Sequence, residues 1–236
     1  MSQPTDAQNS RQVKTQPPDT QQIKTLITQL NGRRGFRRQA AREALVEVGS
    51  PAVTLLLPVA TAKSKRMRWE VTKTLADIAD PVATTALVNR LADKISDIRW
   101  LAGSGLINIG NSSAPPVLRF IIEHPDSQNI RRAARRVLRE LSTYNEELSG
   151  ILLSVVAALS DAEPPEVLPP KARESLRKVE AFLEREAELL AEQLRQEQLL
   201  EEQRLAEQKL AEQELKEQQV LVEHAVILTD QQDWLL

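Results

Sequence analysis

The chain lacks several residue types that enzymes and disulfide-stabilised proteins depend on. Among its 236 residues there is no cysteine, and the two histidines, His124 and His224, lie far apart in the sequence. The absence of cysteine excludes disulfides, a thiol nucleophile and cysteine-bound zinc. Two isolated histidines are a poor basis for a metal site or a histidine general base. We therefore predict that the protein is not an enzyme and that it uses no metal and no cofactor.

Aromatic residues and glycine are also scarce, and their scarcity bears on the fold class. Only 3% of the residues are aromatic and 7 are glycine, whereas Glu, Gln, Leu, Ala and Arg are abundant. β-Sandwiches and barrels need β-branched and aromatic residues and frequent glycine turns, while the abundant residues are strong helix formers. No apolar run approaches ~20 residues, and the first residues contain no apolar stretch, so we expect neither a membrane span nor a secretory signal. The composition predicts an all-α, cytoplasmic protein.

The charge is distributed unevenly along the chain. The net charge is −2, but residues 20–149 contain 20 basic and 12 acidic residues, whereas residues 150–236 contain 9 basic and 19 acidic residues. A basic body followed by an acidic arm indicates either an anionic partner for the body or neutralisation of the body by the arm.

Four segments of the basic region repeat one pattern at intervals of 30, 31 and 32 residues. The pattern has an arginine at its second position, a small or β-branched apolar residue three positions later and a leucine four positions further on. The segments are 37–49, 67–79, 98–110 and 130–142, their arginines are Arg38, Arg68, Arg99 and Arg131, and their leucines are Leu45, Leu75, Leu106 and Leu138. Steps of three and four residues place these side chains on one face of a helix, so each segment is predicted to be an amphipathic helix.

A shorter apolar segment precedes each of these helices, and three of the four begin with proline, which fits the first turn of a helix. Gly49 and Gly110 follow two of the longer helices, where a left-handed residue is favoured. Each unit is therefore predicted to be a pair of antiparallel helices of about 31 residues. Because one pair cannot cover its own apolar face, the four pairs are expected to stack into an α-solenoid.

The repeated pattern of arginine, Ala or Val, leucine and an apolar residue before glycine resembles the HEAT-repeat family, and its short period resembles the phycobilisome-lyase type of HEAT-like repeat. The resemblance covers residues 20–142 and implies a right-handed α-solenoid of about four helical hairpins. It also implies a structural role for the repeat arginines, because the family often places an aspartate six residues earlier, where the two residues form an intramolecular ladder. Only Asp93, six residues before Arg99, keeps that spacing.

The flanking regions complete the predicted organisation. We expect a disordered tail over 1–19, the solenoid with a capping helix over 20–161, and a stiff proline-rich joint over 162–170, followed by a long charged helix over 171–219 and an apolar segment over 220–236. The long helix resembles a coiled coil in composition. However, its leucines recur every five residues from Leu200 to Leu215, a spacing that does not form a heptad seam.

The tryptophans and the arginine clusters are the candidate binding residues. Trp69, Trp100 and Arg132 follow the repeat arginine in their segments, so stacked helices would place them in one row, suited to a protein ligand or to nucleic acid. Packing between repeats is the alternative role of both indoles. A first cluster contains Arg33, Arg34, Arg37 and Arg38. A second contains Arg131, Arg132, Arg135, Arg136 and Arg139. Phosphate and the acidic helix, in the same chain or another, are alternative ligands of these clusters.

The preferred hypothesis is a non-catalytic scaffold that binds protein partners through the solenoid and the long helix, including self-association through that helix. Its candidate partner-binding residues are Trp69, Trp100, Arg132, Arg136 and Arg139. A nucleic-acid-binding protein that uses the arginine clusters is the second hypothesis. An enzyme of the bilin-lyase or base-excision type ranks third, because related HEAT-like proteins have these activities.

Overall fold

The computed structural model of the protein describes the backbone of residues 19–233 and the side chains of residues 19–219. The predicted disordered tail lies outside the described residues except for Asp19. The side chains of the predicted apolar segment over 220–236 also lie outside them.

Within residues 19–233 the regular structure is entirely helical, which confirms the all-α prediction. There are ten α-helices, and short 3₁₀ turns precede or follow several of them. The α-helices are α1 (Thr20–Gln29), α2 (Gly35–Val48), α3 (Ser50–Leu56), α4 (Lys65–Ile78), α5 (Thr84–Arg90), α6 (Ser96–Ile109), α7 (Ala114–Glu123), α8 (Gln128–Leu141), α9 (Glu146–Ala158) and α10 (Leu168–Asp233). The first eight form four hairpins, as the repeat pattern predicts.

The repeated apolar pattern forms the core of the hairpins. Each repeat leucine is at most 1% exposed, and these residues are Leu45, Leu75, Leu106 and Leu138. The small or β-branched residue four positions earlier is equally buried in each repeat. The apolar residue three positions after the leucine is buried only in α8, as Leu141, and is half-buried at Val48, Ile78 and Ile109. Neighbouring hairpins therefore supply the apolar surroundings that a single hairpin lacks.

A residue with positive φ joins consecutive hairpins, in the left-handed helical region at Ala79 and with an extended ψ at Gly49 and Gly110. The residue after each of the first three long helices has a positive φ, which is 70° at Gly49, 54° at Ala79 and 88° at Gly110. Its N–H donates to the carbonyl of the repeat leucine in each case. At Ala79 this left-handed conformation is adopted without glycine, at a cost of about 1–2 kcal/mol. Ser142, after α8, has a φ of −66° instead.

Two glycines allow the second helices of neighbouring hairpins to pack closely. A Cβ atom on Gly105 of α6 would lie 2.7 Å from the Cα of Ala76 in α4, which is closer than atoms can approach. A Cβ on Gly103 would lie 3.1 Å from the Arg136 guanidinium of α8. These glycines therefore serve the contacts of α6 with α4 and α8.

The chain changes course after α8. In the repeats, the second helix of each hairpin packs on the second helix of the next, but α8 packs on α9, which is the first helix of the following pair. The first part of α10 then contacts α9 and α7. The Ser175 hydroxyl donates to the Ile151 carbonyl at 3.0 Å, and Arg119 forms an ion pair with Glu180. The end of the solenoid is thus covered by two helical segments.

The boundaries of this cap differ from the prediction. Residues 168–183, which the sequence assigned to the joint and the long helix, carry buried side chains at Leu168, Ala172, Val179 and Phe182. The first compact unit accordingly ends at Leu183. Helix α10 begins inside the predicted joint because Pro169 and Pro170 occupy its first turn, where the missing N–H groups would have no partner in the helix.

The second unit begins at Glu184 and is a single helix as far as Asp233. All side chains from 184 to 219 are exposed. The leucines of this stretch follow the five-residue spacing from Leu200 to Leu215, so each lies about 140° around the helix axis from the previous one. No continuous apolar face results.

Candidate partner-binding surface

The candidate binding residues lie on the second helices of the hairpins. Helices α2, α4, α6 and α8 pack side by side in that order, so one surface runs across all four. We call it the second-helix surface. It carries Trp69 on α4, Trp100 on α6 and Arg132, Arg136 and Arg139 on α8. Their role in binding stays a prediction.

Trp100 is a large aromatic residue that this surface presents to solvent. Its side chain is 58% exposed, and the Arg136 guanidinium lies 4.8 Å from the centre of its ring. Arg136 also donates to the Trp100 carbonyl at 3.0 Å and to the Ser104 hydroxyl at 2.8 Å. Burial of the guanidinium, opposed by Glu140 and reinforced by Arg139, lowers the pKa of Arg136 below the usual arginine value. The cation thus holds the indole in one orientation while leaving much of it exposed.

Trp69 has a different environment. It is half-buried, and the Arg42 guanidinium of α2 lies 5.3 Å from its ring centre. The neighbouring Glu70 is 2% exposed and accepts from Arg38 Nε at 2.6 Å and from Arg42 Nη1 at 2.5 Å. Two arginines of one repeat are therefore tied to one carboxylate of the next. Arg42 and Glu70 lie within the repeated segments, but at positions that the repeat pattern does not specify.

The predicted aspartate–arginine ladder has different partners in the structure. The Asp93 carboxylate does not pair with Arg99, but accepts from Arg68 Nε at 2.7 Å and from Arg90 Nη1 at 3.0 Å. Arg99 instead donates to the Asp93 backbone carbonyl at 2.8 Å. Burial raises the pKa of Asp93, but hydrogen bonds from Arg68 and the Ile95 N–H, with the two cations, outweigh it, so the pKa is lowered overall. The Asp93 bond in turn raises the pKa of Arg68.

Three repeat arginines share a hydrogen bond to a backbone carbonyl, which does not depend on the side chain of the acceptor residue. Each donates to the backbone carbonyl six residues earlier, in the loop between the two helices of its hairpin. The pairs are Arg38 with Gly32 at 3.1 Å, Arg68 with Ala62 at 3.5 Å and Arg99 with Asp93 at 2.8 Å. The spacing of six therefore recurs even though the aspartate does not.

Arg131, the fourth repeat arginine, does not bind the carbonyl six residues earlier but contacts the cap that covers the end of the solenoid. Its side chain is 6% exposed, and its Nη2 donates to the carbonyl of Ala158, the last residue of α9, and to those of Ser160 and Glu163 in the segment that follows. Carbonyls at a helix C-terminus carry partial negative charge and attract cations. Within the described residues its Nε has no hydrogen-bond partner. Arg131 is thus a structural residue that joins α8 to the end of α9.

The remaining arginines of α8 are exposed. Arg132 donates to the Asp161 carboxylate at 3.1 Å, and Arg139 lies 3.4 Å from Glu140. The Arg132 hydrogen bond is the main interaction that holds the pKa of Asp161 below its usual range. Arg135 is exposed and has no partner among the described residues. Acidic neighbours therefore already offset part of the positive charge on α8.

The positive charge of the second-helix surface is not continuous. Exposed cations lie at the start of α2 and α4, as Arg34, Arg37, Lys65 and Arg66, and again on α8. Between them, α6 presents Asp97, Trp100 and Ser104. A nucleic-acid strand carries evenly spaced charge and favours an uninterrupted basic track. The alternation of cations with an exposed indole is better suited to a protein surface.

Neither a cluster of metal ligands nor a membrane-spanning helix is found within the described residues. No cluster of three or more Asp, Glu or His side chains within them could hold a metal ion. In the same part of the chain, none of the helices combines the length and apolar character needed to cross a membrane.

Comparison with known proteins confirms the repeat class. A family model described as HEAT repeats matches residues 23–107, which span α1 to α6. These residues are HEAT repeats, and the resemblance seen in the sequence is confirmed for them. No curated protein matches the sequence.

Solved structures with similar helical folds include one from a lyase complex. A chain from the complex of CpcE and CpcF of phycocyanin lyase from Nostoc sp. PCC7120 is 25% identical, with 66% of this chain and 99% of that chain covered and a TM-score of 0.49. Two engineered proteins are 16% and 18% identical. They cover 67% and 70% of this chain, over 79% and 87% of their own lengths, with TM-scores of 0.38 and 0.37.

The prediction that the protein is not an enzyme is contradicted by the first of these similarities, because the matching chain belongs to a lyase complex. The scarcity of histidine and the lack of cysteine exclude particular mechanisms only. They give no ground for denying a chain with this fold a part in an enzymatic assembly.

Proposed function

We propose that the protein binds a protein partner through the second-helix surface, with Trp100 as the central contact and Arg132, Arg136 and Arg139 beside it. The single observation that supports this most is the indole of Trp100, which is 58% exposed and held by Arg136. Exposed tryptophan and arginine in fixed positions are the residues that most often dominate the energy of protein interfaces. A rigid row of helices offers such residues without a large entropic cost of ordering.

Contacts between the repeats of the solenoid support this function by holding the binding residues in place. Arg38 and Arg42 tie α2 to α4 through Glu70, and Arg136 ties α8 to α6. The positions of the surface residues are therefore fixed relative to one another across repeats. Self-association through α10 and a cytoplasmic location stay predictions from the sequence.

Affinity purification of the full chain from its source cells tests the proposal. We expect Trp100→Ala to reduce recovery of the specific partner by about tenfold or more, the effect of losing a central interface residue. Tyr144→Ala is the matched control, because Tyr144 is 65% exposed and lies in the loop between α8 and α9. Equal recovery with both variants would refute the assignment of Trp100.

A further inference from the structure

A groove lies where the start of α4 meets α2. Its volume is about 700 Å³, and it is open to solvent. Its lining combines an indole, several cations and a single carboxylate, supplied by Arg38, Ser64, Lys65, Arg66, Trp69 and Glu70. We call it the Trp69 groove. It is separate from the Trp100 contact on α6.

The carboxylate in the lining is already neutralised. Glu70 is 2% exposed, and each of its two oxygens accepts from a different arginine, Arg38 or Arg42. It therefore does not repel an anion that enters the groove, and the pair of arginines leaves a net positive charge behind it. Because both of its oxygens are already paired, the Glu70 carboxylate shapes the groove but does not make it attract cations.

The cations at the mouth of the groove are available. Lys65 and Arg66 lie in the first turn of α4, both are exposed, and neither has a partner among the described residues. With Arg38 and Arg42 they place four positive side chains around one carboxylate. Charge of this density selects anionic groups and raises their rate of association.

The indole of Trp69 adds an apolar wall. Arg42 lies over its ring at 5.3 Å and Trp69 is half-buried, so its orientation is fixed. An anionic group gains apolar contact with the indole only if it is attached to methylene groups that can lie against the ring. A glutamate side chain has two methylene groups and a terminal carboxylate, which can reach Lys65 or Arg66 while its stem lies on the indole.

We propose that the Trp69 groove binds a glutamate-rich segment of the partner protein. The inference rests on the proposed function, because it assigns the chemistry of one part of that partner. Nucleic acid is the competing ligand. The interruption of the basic surface at α6 by Asp97 and Trp100 argues against it, since a strand could not follow the cations from α4 to α8 without passing these residues.

Calorimetric titration of the full-length protein with hexaglutamate, at about 50 mM NaCl, tests the groove directly. Hexaglutamine is the matched neutral peptide, and a short oligothymidine strand is the nucleic-acid probe. We expect hexaglutamate to bind, hexaglutamine not to bind, and the affinity for hexaglutamate to fall as salt is raised. Tighter binding of oligothymidine than of hexaglutamate would overturn the proposal in favour of nucleic acid.

Two double variants of equal charge assign the site. Lys65→Ala with Arg66→Ala removes the free cations of the groove, whereas Lys24→Ala with Arg173→Ala removes one lysine and one arginine that are exposed elsewhere. We expect the first pair to weaken hexaglutamate binding by about tenfold and the second by no more than about twofold. Equal losses would show that only net charge matters and would overturn the proposal. Partner recovery that depends on Trp100 alone would still support the proposed function.

Discussion

Leucine is the recurring apolar residue both in the solenoid and in the helix of the second unit, yet its environment is opposite in the two regions. Leu45, Leu75, Leu106 and Leu138 are at most 1% exposed, whereas Leu200, Leu205, Leu210 and Leu215 are at least 51% exposed. The helices have similar local propensity, so composition does not explain the difference. Spacing does, because steps of three and four collect side chains on one face and steps of five spread them around the helix.

The largest expected effect tests this comparison directly. Leu106→Ala should lower the free energy of unfolding by about 3–5 kcal/mol, because it leaves a cavity in a closely packed core. Leu205→Ala should change it by less than about 0.5 kcal/mol, because the side chain is already in water. Chemical denaturation of both variants measures the difference. A similar loss in the two would mean that the second-unit leucines are buried in solution.

Ion pairs should show the same contrast between the two regions. Glu70→Gln should cost about 2–4 kcal/mol, because it leaves Arg38 and Arg42 without their shared buried carboxylate. Glu192→Gln removes the exposed pair with Arg195, whose atoms are 3.7 Å apart, and should cost less than about 0.5 kcal/mol. Unfolding midpoints in urea are the measurement. Tolerance of Glu70→Gln would show that the tie between α2 and α4 is dispensable.

Replacement of glycine by alanine should have opposite effects on stability at a close helix contact and at an open helix surface. Gly105→Ala should cost about 1–3 kcal/mol, because its Cβ would lie 2.7 Å from Ala76 and force α4 and α6 apart. Gly150→Ala, in α9, has nothing within 4 Å of the added atom and should stabilise by about 0.5–1 kcal/mol through helix propensity. Thermal unfolding distinguishes the two signs, and stabilisation by both would rule out the close approach.

Acid should weaken the solenoid through Asp93 in particular. The pKa of Asp93 is lowered in the folded state, so its contribution to stability is present above the ordinary carboxyl pKa and is lost as pH falls through the lowered value. We expect Asp93→Asn to lose less free energy of unfolding than the wild type between about pH 5 and pH 2. Glu174→Gln, which removes an exposed pair with Lys178 on α10, should leave the wild-type pH dependence nearly unchanged. The same pH dependence in all three proteins would contradict the prediction.

The sequence predicted the features that depend on periodicity. The buried leucines, the four hairpins and the lack of one apolar face in the five-residue pattern all follow from the angle that each residue occupies on its helix.

Other features could not be read from periodicity. A backbone carbonyl has no sequence signature, so the acceptors of Arg38 and Arg131 could not be identified. The Asp93 carboxylate pairs with Arg68 and Arg90, and the contact with Arg68 depends on how neighbouring repeats pack. The spacing of six residues predicts Arg99 as its partner because it considers one repeat alone. The proline-rich composition of 162–170 predicts a break, but Pro169 and Pro170 fit the first turn of α10, so the cap extends to Leu183.

The joints at Gly49 and Gly110, which have nearly the same φ and ψ, have a consequence for the modularity of the array. Because these two joints direct the chain in the same geometry, a second copy of residues 50–110 inserted after Gly110 should be accommodated as two more hairpins. No such duplication is expected to succeed after Ser142, where the right-handed backbone directs the chain into its terminal cap. The length of the array is therefore set by a single turn at its end.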